Sequence, residues 1–345
     1  MRRIGLSAGL LLAVLLWVLP AAATITVSGW SPLYRGIDFA TGTADASETR
    51  IQKVFTMRVD LTDPTIEFYS TPPTPNGTNE TIGQVTTDFV KSHGLAIGIN
   101  ANFFAPVVQQ ANYPRSLSGL AISQGVLVSS FQSSYPSVLI TLGNQVSFAT
   151  SNPSNLGNVW TSVSGSDMVL LNGVPQLQSC TTDFCLENPR TAVGLSHDGH
   201  YFYLMVIDGR QPSWSMGATL YETGQWLARF GAWTGLNLDG GGSTAMAKGQ
   251  NGTATLINKP SGGTQRYVGN NLGVFAEPLG GAVWNGGGAD NYWENPANWN
   301  GYNLSPGVGA DLHFAGTTRL SCSNNFTAGS NFGDITFDPG AGVFN

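Results

Sequence analysis

Charge is scarce in this chain: Asp, Glu, Lys and Arg make up only 10% of its 345 residues, and 15 basic against 21 acidic side chains leave a net charge of −6. No basic footprint of the kind that neutralises a phosphate backbone is present, which argues against a nucleic-acid partner. Cysteine is sparse too. Three residues cannot build a disulfide scaffold, and two close cysteines with only His197 and His200 in the neighbourhood do not make a zinc site. The glycine-rich stretch at 240–242 lacks the Lys-Ser/Thr pair of a Walker loop. No dense carboxylate loop demands a cation. Beyond the first twenty residues no apolar run approaches the length needed to span a bilayer.

What is present begins with an address. Arg2 and Arg3 precede an almost unbroken apolar run from Ile4 to Leu19, Pro20 interrupts it, and Ala21-Ala22-Ala23 supplies small residues at a cleavage site. That order is a secretory signal peptide over residues 1–23, with a retained anchor as the alternative. The expected location is secreted, periplasmic or cell-surface, with no membrane span once the signal is removed. The 44 glycines and abundant Asn, Ser and Thr suit a β-rich extracellular protein with many turns. In an oxidising compartment Cys180 and Cys185 are close enough for a local bridge, and Cys322 is left without an evident partner.

Along residues 24–277, short apolar strands alternate with helical stretches. Val54 to Leu61 and Ile66 to Ser70 alternate as half-buried strands do. Thr81 to Ser92 carries apolar residues at helical spacing, and Gly94 ends it. Leu95 to Ile99, Leu204 to Ile207 and Gly235 to Leu238 are continuous apolar runs, as expected of strands covered on both faces. Asp208 and Asp239 close the last two. Between them Thr219 to Phe230 reads as an amphipathic helix, with Thr219 and Glu222 spaced as a capping box. Strand, helix, strand suggests a crossover that lays two parallel strands side by side, with both aspartates in one crevice. The expected fold class is therefore α/β, a mixed sheet with helices.

Near Pro278-Leu279-Gly280-Gly281 the composition shifts. Residues 278–345 hold short β segments between Gly, Asn and Asp turns, with Trp284, Trp293 and Trp299 among them. This reads as the beginning of an all-β solenoid-like module. The segment resembles the entry to the β-helical passenger-type repeats of bacterial surface proteins, which implies cell-surface association. Such repeats need several stacked copies, so Asn345 reads as a truncated end.

Four motifs carry candidate chemistry. In Asp239-Gly240-Gly241-Gly242-Ser243-Thr244 the glycines free the backbone to turn sharply and present N–H groups to an anion. In Asp208-Gly209-Arg210 the acid could serve as acid or base, or hold the guanidinium, while Arg210 suits bidentate phosphate binding. Arg190, in Asn188-Pro189-Arg190-Thr191, precedes an apolar strand and could reach a site from the strand's start. Asn100-Ala101-Asn102-Phe103-Phe104 offers two amides suited to sugar hydroxyls or phosphate oxygens, with its phenylalanines more at home in a core.

Taken in order, these segments resemble the phosphodiester glycosidase family from about Arg35 to Ala276, with a closing Tyr267 to Val274 strand. Asn100-Ala101-Asn102 departs from the pattern, since relatives more often carry glycines after the first Asn. The resemblance implies a hydrolase that cleaves the bond between an anomeric carbon and a phosphodiester oxygen. Its substrate would be a glycosyl phosphate. Candidate carboxylates are then Asp239, Asp208 and Glu222, the last already explained by capping. Candidate phosphate or substrate ligands are Arg190, Arg210, Asn100, Asn102, Gly240, Gly241, Gly242 and Ser243. A Ca or Mg ion shared by Asp208 and Asp239 stays open. Two other readings remain: a glycosidase of an unphosphorylated polysaccharide, and a non-catalytic adhesin that binds glycans through Trp293 and Trp299.

Overall fold

The computed structural model describes residues 25–45, 50–74, 80–250, 252–300, 305–306 and 310–345. Residues 1–23, where a signal peptide is expected, lie outside them. Strands account for 39% of the chain and helices for 8%, with two α-helices among the described residues. The fold is therefore mostly β, built from curled antiparallel sheets, and the α/β expectation is corrected.

The reason lies in the place of one strand, the apolar one that begins at Arg190, whose position in the sheet the sequence pattern does not give. The largest sheet runs, in spatial order, Ile25–Val27, Ile37–Ala44, Gln52–Asp60, Tyr201–Ile207, Arg190–Leu195, Thr234–Asn237, Asp167–Leu171 and Val174–Pro175. Tyr201–Ile207 and Thr234–Asn237 do run in the same direction, joined by the helix Leu220–Phe230. They are not neighbours, because Arg190–Leu195 lies between them, antiparallel to both. An unbroken apolar run records burial on both faces, not strand direction, and both faces here are covered. Leu204 and Val206 join a core shared with Ile97, Ile99, Leu272 and Val274 of a second antiparallel sheet. Met205 and Ile207 point the other way, onto Trp226, Leu227 and Phe230 of the helix.

The helix forms where its sequence dictates. The Thr219 side chain accepts from the Glu222 N–H, the Glu222 carboxylate accepts from the Thr219 N–H, and Gly231 caps the far end at φ 109°. The other helix, Thr86–His93, ends at Gly94 as its glycine implies, but residues 81–82 form a short strand ahead of it. A third sheet (Val126–Ser129, Ala121–Ser123, Val159–Ser164, Ser137–Thr141, Val146–Ala149) and a small one (Thr81–Ile82, Pro114–Leu117, Phe104–Ala105) complete the main body.

The tail also differs from expectation. Ala282–Trp284, Leu312–Phe314 and Ile335–Phe337 pair in parallel, and Trp299–Asn300 pairs antiparallel on the edge. This is a single small sheet, with no stacked solenoid among the described residues. Trp284, Trp299 and Phe314 are buried in its core, with Trp293 packed against them. The tryptophans thus hold the tail together instead of forming an open glycan platform. Arg35 ties the tail to the main body: its guanidinium reaches Asp63, Glu277 and, at 3.5 Å, Asp311.

Helix and sheet approach closely at Gly224, where an added Cβ would lie 2.0 Å from the Val169 carbonyl oxygen. Gly224→Ala would gain about 1 kcal/mol in helix propensity. The clash outweighs it, so urea denaturation should show a net loss of about 1–3 kcal/mol.

Candidate active site

The antiparallel arrangement decides what meets what. Two strands end, at Asp208 and Asp239, on the same edge where the strand between them begins, at Arg190. Ile207 is opposite Arg190, and the Leu238 N–H donates to the Thr191 carbonyl at 2.8 Å. The glycine loop then folds across that edge. A Cβ on Gly240 would sit 2.6 Å from the Pro189 carbonyl oxygen, and Gly241 adopts φ 62°, so neither position accepts a larger residue without strain.

Over this edge lies an open cleft of about 490 Å³. Its lining includes Asp239 and Gly240 to Gly242, together with three arginines, Arg190, Arg210 and Arg266. Asn188, Asp183, Phe184 and Phe103 complete it. In a chain so poor in charge, three guanidiniums around one concavity concentrate positive charge there, beside the carboxylates Asp239 and Asp183.

Asp239 is nearly buried. The Asn100 amide holds its backbone carbonyl at 2.6 Å, and its own N–H donates to the Ala101 carbonyl. Burial pushes its carboxyl up to about 6, against the pull of the Ser243 hydroxyl, the Arg266 charge and the Gly240 N–H. Ser243 is buried beneath it and accepts from Arg266 Nη1 at 3.1 Å, so arginine, serine and aspartate form a chain.

The guanidiniums are held differently. Arg190 is buried, with Nε donating to the Ala218 carbonyl at 2.9 Å and Nη2 to the carbonyls of Phe184 (2.7 Å) and Leu186. Burial, then the neighbouring Arg210 charge, brings it down to about 10, which leaves it cationic at neutral pH. Arg210, itself at φ 58°, is held by the Asn188 side-chain oxygen at 2.8 and 3.2 Å. It packs over Gly241, and Arg266 packs over Gly242. The glycine loop presents fewer free amides than its sequence suggests. Gly241 N–H donates to the Pro189 carbonyl and Gly240 N–H to Asp239, which leaves Gly242 without a protein acceptor among the described residues.

Several sequence candidates lie outside the cleft lining. Asp208 is buried, and its carboxylate accepts from Trp214 Nε1 at 2.7 Å, Asn258 Nδ2 at 2.9 Å and the Lys259 N–H. Burial raises it, while those donors pull it down. Both oxygens facing N–H donors is not a hard cation's environment, and no group of three or more potential metal-ligating side chains occurs among the described residues. Glu222 caps its helix and pairs with Arg50 and Gln52 beside a separate small pocket. Asn100 and Asn102 are buried and hydrogen-bonded on both ends of their amides, Asn102 between the Ser118 and Leu120 carbonyls and the Ser164 N–H. They brace the site from below. Phe103 reaches the cleft, whereas Phe104 is core.

Arg266, Asp183 and Phe184 escaped the sequence reading. A signal existed for the last two: they lie inside the Cys180–Cys185 loop, which is closed by a disulfide, just ahead of Arg190. Nothing local marks Arg266, whose contact with Gly242 is purely tertiary.

The sequence profile of the phosphodiester glycosidase family matches residues 93–275, more than half of the chain. The chain belongs to the phosphodiester glycosidase family. No curated protein matches it. Solved structures share the fold of this family member at low identity. A hypothetical protein from Synechocystis is 16% identical with a TM-score of 0.55, over 75% of this chain and 69% of that one. A Burkholderia pseudomallei protein, named as a candidate for export, is 13% identical with a TM-score of 0.55, over 74% and 97%. The third is the catalytic domain of zebrafish N-acetylglucosamine-1-phosphodiester alpha-N-acetylglucosaminidase, auto-inhibited by its pro-peptide. It is 18% identical with a TM-score of 0.53, over 74% and 89%.

The raised Asp239 carboxyl has a stability consequence. The folded state binds its proton more tightly than the unfolded chain does. Its contribution is therefore full below about pH 4 and is lost as the pH rises through about 6. Asp239→Asn should remove that pH dependence and stabilise the protein at pH 7 by on the order of 2–3 kcal/mol, read from denaturation at pH 4 and pH 7.

Proposed function

We propose that this family member hydrolyses glycosyl-1-phosphodiesters, with Asp239 as the general base and Arg190, Arg210 and Arg266 neutralising the phosphate. Three guanidiniums lining the same cleft as one largely buried carboxylate, with Arg266 acting on it directly, carry this reading. A neutral polysaccharide would give those three cations no counter-charge, which favours a phosphorylated substrate over an unphosphorylated glycan.

A phosphodiester is already a fair leaving group, so the chemistry rests on charge. Water oxygen bonds to the anomeric carbon, the bond from that carbon to the phosphate oxygen breaks, and the electron pair departs with the phosphate monoester. The proton of water passes to Asp239. The arginines and the Gly242 N–H take up the charge that builds on the departing oxygen. With its carboxyl near 6, Asp239 is a stronger base than an ordinary aspartate yet ionised at neutral pH. Ser243 and Arg266 hold it in place.

We also assign the protein to an oxidising, extracytoplasmic compartment. The Cys180–Cys185 bridge supports this, because such bonds persist where thiols are not kept reduced.

A panel of methyl glycosyl-1-phosphates run beside the matching methyl glycosides tests the activity. Turnover is expected on the phosphates alone, with kcat/KM rising through about pH 6. The kcat limb should lie higher, since a bound anion raises a neighbouring carboxyl further. Asp239→Asn should lower kcat by ~10²-fold or more. Equal turnover on the plain glycosides, or a fully active Asp239→Asn protein, would end the assignment.

A further inference from the structure

The cleft has two chemically different ends. At one, Arg210 and Arg266 flank the glycine loop, packed over Gly241 and Gly242. The other is aromatic. Phe184 and Phe103 are in ring contact at 6.0 Å, and both line the cleft. Asp239, at the head of the glycine loop, is linked to both ends: Gly241 and Gly242 follow it, Gly240 packs on Pro189 and Arg190, and Arg190 lies under the Phe184 ring at 5.6 Å.

Phe184 is 42% exposed, which by itself would be unremarkable for a surface residue. Its placement is not casual. The ring sits within the loop closed by the Cys180–Cys185 disulfide, and its own carbonyl accepts from Arg190, so the backbone that carries it is pinned on two sides. The structure therefore keeps a large apolar ring open to water in a concave site, at the cost of leaving it unburied. Asp183, beside it on the same loop, also faces the cleft.

From this we infer that Phe184, backed by Phe103, is the glycone wall. It takes the C–H face of the sugar ring while the phosphate sits between Arg210 and Arg266. Asp183 accepts hydrogen bonds from the sugar hydroxyls. A pyranose has an apolar face of axial hydrogens and an equatorial rim of hydroxyls, so an aromatic ring beside a carboxylate matches both parts. The cleft thus selects a sugar ring joined to a phosphodiester, and Phe184 is specificity-determining for the sugar half. This inference rests on the glycosyl phosphodiester reading given above.

The two halves can be measured separately in the full-length protein. KM for the best-hydrolysed methyl glycosyl-1-phosphate reads both ends of the cleft. Competitive inhibition by dimethyl phosphate, which has no sugar, reads the cationic end alone. Phe184→Ala should raise KM about 10-fold and leave the dimethyl phosphate Ki unchanged, while Phe184→Tyr keeps KM near that of the parent. Arg266→Gln should weaken both. Thermal melts run alongside confirm that each variant is folded, and truncation of a half-exposed ring should leave the core intact. An unchanged KM in Phe184→Ala would overturn the inference. So would a parallel rise of KM and Ki, since the ring would then serve only to hold Arg190. In both of those outcomes the parent enzyme remains active and the proposed function stands. A parent protein that turns over none of the phosphodiesters removes the proposed function, and this inference with it.

Discussion

The strand Arg190–Leu195 is hydrogen-bonded on both sides to strands that run against it. That single antiparallel insertion brings the start of one strand to the ends of two others. It places Arg190 between Asp208 and Asp239, and it supplies the Pro189 carbonyl against which Gly240 closes. The register cannot slip by one residue without turning Ala192 and Val193 to the wrong faces of the sheet. Positioning of the cleft is thus inherited from the packing of the core.

Burial then divides labour among polar groups of similar appearance. Asp208 and Asp239 both close apolar strands, and both are pushed upward by desolvation. Asp208 spends its oxygens on Trp214, Asn258 and Lys259, which fastens two loops to the sheet. Asp239 keeps its carboxylate at the cleft with Ser243 and Arg266 as supports. Asn100 and Asn102 follow the same division, since every amide end is committed to the surrounding backbone and side chains. A rigid polar floor of this kind fixes a reactive group better than packing alone, because each unsatisfied partner would cost free energy in the interior.

Much of the local structure was legible in the chain. Thr219 and Glu222 announced a capped helix, Gly94 a helix end, and the Cys180–Cys185 spacing a short bridge, all because these features depend on neighbours within a few residues. The α/β expectation fails at the strand–helix–strand order from Leu204–Ile207 to Gly235–Leu238, which implies two adjacent parallel strands, whereas Arg190–Leu195 lies between them and runs against both. Covered faces produce the same run whichever way the adjoining strand points. In the tail, Gly- and Asn-rich turns between short strands suggested stacking repeats, whereas Trp284, Trp299 and Phe314 close one small core.

The sequence by itself determined which groups were available: an unusual shortage of charge, a few arginines among apolar strands, and Asp239 followed by three glycines. It determined the family as well, since the ordered segments carry that likeness without any knowledge of geometry. Tertiary structure alone decided which groups meet. Arg266 is 24 positions beyond Gly242 in the chain yet packs directly on it, and Glu222, although acidic and near in sequence to Arg210, faces Arg50 beside a different pocket. Local spacing encodes caps, turns and short loops, because those interactions close within one or two turns of backbone. Which carboxylate is desolvated in a cleft that three guanidiniums also line depends on the order of strands in a sheet, and that order is fixed only when the two faces are buried together.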